Sequence, residues 1–445
     1  MRFLFATWDG GGNVPPTLAL ARQLLGRGHS VRVLGPPSLR LRFEGAGSVF
    51  TDYRRLPTGV HSGAKTSGTG RVRAAYLVME LARAAPALGF AEDVLGELER
   101  APVDALVVDF MLAGAVAAAE RAGLPTAALM HTAYCLPSPG RPPFGPGFKA
   151  RDGWRGRLRD AAVLGLRRGA NRGALADLNQ ARRQIGLTPV GSASDQLARV
   201  ARVLVLTSVA FDPPPAAPPP NVRHVGPQLD DSSPGRLDLS WPGRNCEPLV
   251  LVSFSTRFRA VHVGQRVLDA LATLPVRGLL TLGPALAHED LRVPPNVLVR
   301  TFVPHRTVLP SAQLVITHAG LGTVMGTLAH GLPLLCLPLK NDQFENAARV
   351  VSAGAGCRLG SRASRSSLRQ TILRLLNEPH FRERAGRMAK AIAAHEGQAV
   401  QELEALSAPH ERPAELLGFP EERPATARPR SAVTPTPRSR TTSHL

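Results

Sequence analysis

The sequence predicts an α/β protein: two doubly wound, parallel-sheet domains, each Rossmann-like, facing one another across a cleft, with a disordered tail behind them. Three stretches carry that prediction. Residues 3–8 are an apolar run, FLFATW, that ends in Asp9-Gly10-Gly11-Gly12-Asn13. Pro15-Pro16 then opens a helix through Leu18, Leu20, Leu24 and Leu25, and residues 29–34 make a second strand. Strand, helix, strand is a βαβ unit, which makes its sheet parallel. Residues 313–346, QLVITHAGLGTVMGTLAHGLPLLCLPLKNDQFEN, repeat the plan late in the chain. Between the two lies DPPPAAPPP, a semi-rigid spacer, followed by a polar stretch with scattered proline and glycine.

In chain order, proline suits the first turn of the helix after Asn13, and Gly26 to Gly28 ends it. Strand 29–34 stops at Gly35-Pro36-Pro37. Further strands are expected at 105–108, 127–130 and 203–207, with helices between them, among them the alanine-rich 113–122. Residues 221–228 read as a last short strand. Two glycine-rich insertions, 58–73 and 136–154, fall on the strand-end face; such segments are functional, mobile or plain surface loops. The second half begins with a strand at 249–254, continues with strands near 278–282 and 297–303, and closes with helices at 366–376 and 381–406. The expected organisation is a first domain at 1–228, a linker at 229–247, a second domain at 248–406 and a tail at 407–445. That tail is rich in Pro, Arg, Ser and Thr without periodicity, so it cannot bury a core.

At 445 residues the chain has room for two sizeable cores. Its formal charge of +20 comes almost entirely from arginine, since lysine stands only at Lys65, Lys149, Lys340 and Lys390. Nucleic-acid binding wants clustered basic residues interleaved with aromatics; aromatics are 5% here, so no nucleic-acid partner is expected. The four cysteines (Cys135, Cys246, Cys336, Cys357) lack metal-ligand spacing. Met1-Arg2-Phe3 runs straight into a strand, and no run of about 18 apolar residues spans a membrane. A reducing, cytoplasmic setting is expected, with peripheral membrane contact left open.

The chemistry concentrates in 313–346. Leu314 to Thr317 is short and β-branched, as a buried parallel strand is. It ends at His318, and the turn Gly320, Gly322, Thr323 leads into a short helix closed by Gly331 and Pro333. Glycines allow close backbone approach, and the free N–H groups of a first helical turn bind anions. His318 and Thr323 add side-chain donors. Asp342 and Gln343, just past the next strand, lie beside the same crevice, and their oxygens suit a polyhydroxyl ligand. Phosphate on one side and hydroxyls on the other suggest a nucleotide sugar. A blander reading makes His318 a strand cap and the glycines packing devices. A dinucleotide fold is the sharper competitor: Gly320-x-Gly322-x-x-x-Gly326 approximates its glycine fingerprint, and Asp342 lies 20 residues past Gly322. There, however, the third glycine comes one residue late.

His318-Ala-Gly-Leu-Gly-Thr323, Gly331-x-Pro333, Pro338, Asp342-Gln343, Asn346-Ala347 and Arg349-Val350 resemble the donor-site signature of bacterial nucleotide-sugar glycosyltransferases of the GT-B fold. The antibiotic and macrolide glycosyltransferases of the UDP-glycosyltransferase superfamily are the nearest group. The resemblance implies an inverting transferase moving a hexose or deoxyhexose from a UDP or dTDP sugar to a hydroxyl of a small, largely apolar acceptor. It implies no cofactor beyond that co-substrate, and no metal. It places the diphosphate on His318 and the glycine turn and the sugar hydroxyls on Asp342 and Gln343. Ser255 and Thr256 would also meet phosphate, and the turn of Val303, Pro304 and His305 would read the base. Many relatives carry Glu eight residues after the histidine to hold the ribose; here that position is Gly326, which favours dTDP over UDP.

The catalytic base is where the sequence departs furthest. The family places histidine in a first-loop sequence like Gly-His-Val-x-Pro; this chain has Gly12-Asn13-Val14-Pro15-Pro16, so Asn13 fills the base position. An amide orients a hydroxyl but does not take its proton. Asp109 matches the carboxylate that supports the missing histidine and could act directly or through water, unless it merely caps the helix near Ala113. Asp9 and His131 are the other candidates, Gly12 and His131 being placed at the acceptor loop. Two alternatives remain: a membrane-surface transferase for a lipid-linked acceptor, favoured by any exposed apolar patch ringed by arginine on the first domain, and a non-catalytic donor-binding auxiliary protein, suggested by Asn13.

Overall fold

The computed structural model describes residues 1–55, 87–139, 141–148, 151, 153–229, 246–254, 261–282, 291–340 and 342–407. Within them are two all-parallel sheets. The first has seven strands: β1 (Arg2–Ala6), β2 (Ser30–Gly35), β3 (Val49–Asp52), β4 (Ala105–Asp109), β5 (Thr126–Met130), β6 (Arg202–Val205) and β7 (Val222–His224), in the order β3-β2-β1-β4-β5-β6-β7. The second has six: β8 (Leu249–Ser253), β9 (Arg277–Thr281), β10 (Val297–Arg300), β11 (Leu314–Thr317), β12 (Leu334–Cys336) and β13 (Gly356–Arg358), in the order β10-β9-β8-β11-β12-β13.

The central strands are largely apolar because helices cover both faces of each sheet. Every residue of β4, β5, β8 and β11 is buried. Alternate residues of one strand therefore enter different cores: Leu4 and Val108 join Phe90, Val94 and Val116 on one side, while Phe5 and Val107 join Leu20, Leu24 and Phe43 on the other. The strand order reverses between β1 and β4 in the first sheet and between β8 and β11 in the second. In open α/β sheets the crevice at the carboxyl ends of such a pair is where ligands bind. Asn13 and Asp109 follow or end the first pair; Ser253 and His318 do so for the second.

The sequence placed eleven of these strands, but not β3 or β13, which are edge strands of four and three residues. The helix expected over 381–406 is two, Pro379–Ala393 and Gln398–Glu404, divided at Gly397, whose φ of 76° is left-handed. The second piece also changes allegiance. Ala399, Val400, Leu403 and Leu406 pack with Phe3, Leu20 and Leu24 under the first sheet, and Glu404 pairs with Arg27 and His29, both at 2.8 Å. The last α-helix among the described residues, grouped by sequence with the second domain, thus belongs to the core of the first. The insertion at 58–73, most of the linker and the tail beyond Ser407 lie outside the described residues.

β4 is held in place by the helices Ala87–Arg100 and Ala113–Ala122, whose backbones touch at Gly114. A Cβ there would stand 1.9 Å from the Ala87 carbonyl oxygen. Overpacking of this kind costs about 1–3 kcal/mol, so Gly114→Val is expected to lower the thermal midpoint by several degrees. An unchanged midpoint would contradict this packing.

Candidate active site

In the second sheet, β11 delivers His318 to the switch point, and Ala319 turns the chain into the helix Leu321–Ala329. Ala319 has a φ of 67°, the left-handed region, although it is not glycine. Its carbonyl accepts from Asn346 Nδ2 at 3.0 Å, and its N–H donates to Thr317 Oγ1 at 3.3 Å. Gly320 is required by closeness: a Cβ would come within 2.7 Å of His318 Nε2. At Gly322 a Cβ would meet nothing within 4 Å, so the first helical turn is open to a ligand. Burial, opposed by the Ser253 backbone and reinforced by nearby His305, brings the His318 imidazolium down to about 4. The ring is therefore neutral at physiological pH. Thr323 is half-buried in the first turn of this helix, Val303 is buried in the adjoining core, and His305 opens the short helix His305–Val308 beside His318.

Asp342 and Gln343 start the helix Gln343–Ser352. The Asp342 carboxylate accepts from Asn346 Nδ2 at 2.9 Å, and burial pushes this carboxyl up against that bond. Gln343 differs from expectation in which end it offers. Its Oε1 already accepts from the Leu339 and Lys340 amides, each at 2.9 Å, so its NH2, a donor, is what remains for a sugar hydroxyl. Ser255 and Thr256 lie outside the described residues.

The first sheet contributes Asp109, His131 and Asn13. Asn13 stands against Asp109, where the resemblance places the base, but it is 1% exposed and fully engaged. Its Nδ2 donates to the Trp8 carbonyl and to Asp109 Oδ2, both at 2.8 Å, and its Oδ1 accepts from Gly10 N at 2.9 Å. Asp109 is 3% exposed, too deep to meet an acceptor itself, and it caps no helix: its Oδ1 accepts from Met111 N at 2.9 Å, and Leu112 stands at the following helix's N-terminus. Burial pushes the Asp109 carboxyl up, opposed by His131 and these hydrogen bonds. His131, immediately after β5, sets Nδ1 3.4 Å from Asp109 Oδ2 and leaves 13% of its side chain exposed. It also exerts a charge effect on Asp342, which sets residues of the two sheets opposite each other. Gly12 is exposed with open space around it.

The sequence missed what joins the halves. Glu345 Oε1 accepts from Gly145 N at 2.9 Å and Gly147 N at 3.0 Å, pinning the loop after β5 to the helix that begins with Gln343. Arg349, on that helix, pairs with Glu345 at 2.5 Å and with fully buried Asp212 at 2.9 Å. Asp212 also holds Arg141 at 3.0 Å and the Tyr134 amide at 2.5 Å, with the His224 ring nitrogen 3.6 Å away, beyond hydrogen-bond length. The described part of the 136–154 insertion is therefore a packed loop. The only sequence signal was the i, i+4 pair Glu345 and Arg349.

Two doubly wound parallel sheets, each with its switch point at the carboxyl ends of a central strand pair, are the architecture of a GT-B glycosyltransferase. The chain belongs to the bacterial antibiotic glycosyltransferases. It is 31% identical over 418 residues to 4'-demethylrebeccamycin synthase of Lentzea aerocolonigenes, covering 89% of this chain and 96% of that one. The family described as erythromycin biosynthesis protein CIII-like, C-terminal domain, matches residues 265–406. In fold it is similar to the glycotransferase of kitacinnamycin, with a TM-score of 0.73 at 23% identity over 91% of this chain and 98% of that one. The glycosyltransferase VinC, solved in complex with dTDP, gives 0.67 at 19% identity over 92% and 99%.

Burial alone raises the Asp212 carboxyl, but His224, the charges of Arg349 and Arg141 and the Tyr134 amide outweigh it and hold it well below the usual range. A depressed carboxyl stabilises the fold above its unfolded value of about 3.9 and stops doing so as pH falls below that value. Asp212→Asn is thus expected to cost roughly 3 kcal/mol at pH 7, with the gap in thermal midpoint from the native protein shrinking steadily below pH 4. A gap independent of pH would refute the ion pairing.

Proposed function

We propose that this enzyme moves a hexose or deoxyhexose, with inversion, from a nucleotide-diphosphate sugar to a hydroxyl of a small, largely apolar natural-product acceptor. The observation that carries this reading is the meeting of His318, the open helix end at Gly322 and Asp342 with His131 of the first sheet. The helix-end amides and the neutral His318 ring stabilise the departing diphosphate, the part a metal plays elsewhere. Asp342 accepts from, and Gln343 donates to, the sugar hydroxyls. Val303 and His305 border the base. With Gly326 where a ribose-binding carboxylate would stand, dTDP is the preferred carrier, and VinC, which binds dTDP, supports that choice.

Metal-free calorimetric titration tests it. One of UDP and dTDP, with dTDP the favoured one, is expected to bind, and His318→Ala to weaken that binding roughly tenfold or more, as loss of a hydrogen bond to a charged group does. Binding of NAD with no affinity for either diphosphate would sink this reading.

A second reading is favoured by one helix. Trp154–Ala170 exposes Trp154 (65%), Leu158 (62%) and Leu166 (73%) along one side, flanked by exposed Arg155, Arg157 and Arg168. An apolar stripe bordered by arginine suits the surface of an anionic bilayer, where a lipid-linked acceptor would lie. Among the described residues no helix is long and apolar enough to cross one. Flotation with phosphatidylglycerol vesicles is expected to carry the native protein at low salt but not Leu158→Glu; equal recovery with purely zwitterionic vesicles, or none at all, removes the membrane version.

A further inference from the structure

In the first glycine loop Asn13 is buried and its amide takes no proton at neutral pH, while the loop's one carboxylate, Asp9, is engaged by Ser38, whose hydroxyl donates to its Oδ2 at 2.9 Å. Yet the carboxylate a base there would need, Asp109, is present and held by three neighbours. Two of them, Asn13 and the Met111 amide, are donors that only fix it. The third is His131, whose position follows from the sheet: β5 pairs with β4 in the register Asp109↔Leu129, so the second residue after Leu129 emerges beside the Asp109 side chain. The His131 ring packs edge-on against Phe110 with centroids 5.2 Å apart, which fixes its plane while Nδ1 faces Asp109. The other nitrogen, Nε2, lies across the ring from Nδ1, and the side chain as a whole is 13% exposed.

We propose that His131 is the catalytic base of this enzyme, with Asp109 and Asn13 as positioning residues behind it. The inference rests on the glycosyltransferase reading above. In the step, the acceptor O–H gives its proton to His131 Nε2 as the acceptor oxygen bonds to the sugar's anomeric carbon. The bond from that carbon to the diphosphate oxygen breaks, and its electron pair leaves with the diphosphate. Asp109 stabilises the imidazolium through Nδ1–H, and the imidazolium then returns its proton to solvent. Asn13, through Nδ2, holds Oδ2 where Nδ1 needs it. The charged groups facing His131 are Asp109 from β4 and Asp342 from the loop after β12, with the Tyr53 hydroxyl beside Asp109. All three are conserved in the test variants below except where named.

The test uses the full chain with dTDP-glucose and UDP-glucose, following donor consumption with water and with a panel of substituted phenols as acceptors. His131→Gln is expected to lower kcat/KM about 10²–10⁴-fold at pH 7, least for the most acidic phenols, while the nucleotide Kd stays within about twofold. The acidic limb of the native pH profile should vanish in this variant. A rate within threefold of native, or an unaltered acidic limb, overturns the proposal. Histidine-selective 15N NMR supplies a readout independent of turnover: the neutral His131 ring should carry its proton on Nδ1, facing Asp109, and lose that tautomer preference in Asp109→Asn. A tautomer balance that does not change overturns the role given to Asp109. If the native protein binds neither diphosphate, the glycosyltransferase reading fails instead, and the NMR arm still judges the pair.

Discussion

The arrangement depends on one buried charge. A carboxylate with almost no contact with water costs several kcal/mol unless neighbours replace its hydration, and Asp109 sits at the end of the strand bordering the first sheet's switch point. Its partners are drawn from three separate pieces of chain: the first loop supplies Asn13, the turn after β4 the Met111 amide, and β5 His131. Satisfying Asp109 therefore sets the conformation of the glycine loop and the orientation of the imidazole together. Asn13 is understood in these terms. In that role it completes the carboxylate's shell, which a residue serving as the base could do only while also reaching the acceptor.

A second constraint couples the halves. Gln343, at the donor side, and Glu345 and Arg349, which grip the loop after β5, share one helix. Any shift of that helix carries Gln343 and the loop at Gly145 and Gly147 together. Gly147, with φ of 66°, lies so close to Phe344 that a Cβ would stand 2.2 Å from its carbonyl oxygen, so the contact is backbone to backbone. Interfaces of this kind switch between discrete arrangements more readily than they deform.

Most of the architecture was legible because buried parallel strands are apolar without interruption and glycine or proline marks their ends. β1, β8 and β11 declare themselves that way; β3 and β13 do not, since three or four edge residues have no periodicity to read. At the site, residue types at strand ends pointed to His318, Asp342 and Asp109. What those side chains do was not legible, because it depends on partners distant in sequence. Asn13 and Asp109 are 96 positions apart, and Glu345 and Gly145 are 200 apart. Nor does spacing tell which end of Gln343 faces the ligand; that is decided by the Leu339 and Lys340 amides.

The donor side shows the same economy of means in one amide. A left-handed alanine costs roughly 1–2 kcal/mol, and Ala319 keeps that conformation because Asn346 holds its carbonyl while Thr317 accepts from its N–H. The same Asn346 Nδ2 donates to Asp342. The turn into the helix Leu321–Ala329 and the Asp342 carboxylate are therefore braced by a single side chain, itself fully buried. A hydrogen-bonded brace of this kind fixes the distance between the helix end and the carboxylate, the two groups proposed above to hold the donor. The His318 ring, kept neutral by burial, brings to that crevice a polar group without a fixed positive charge, which in the proposed reaction would leave the product diphosphate free to depart.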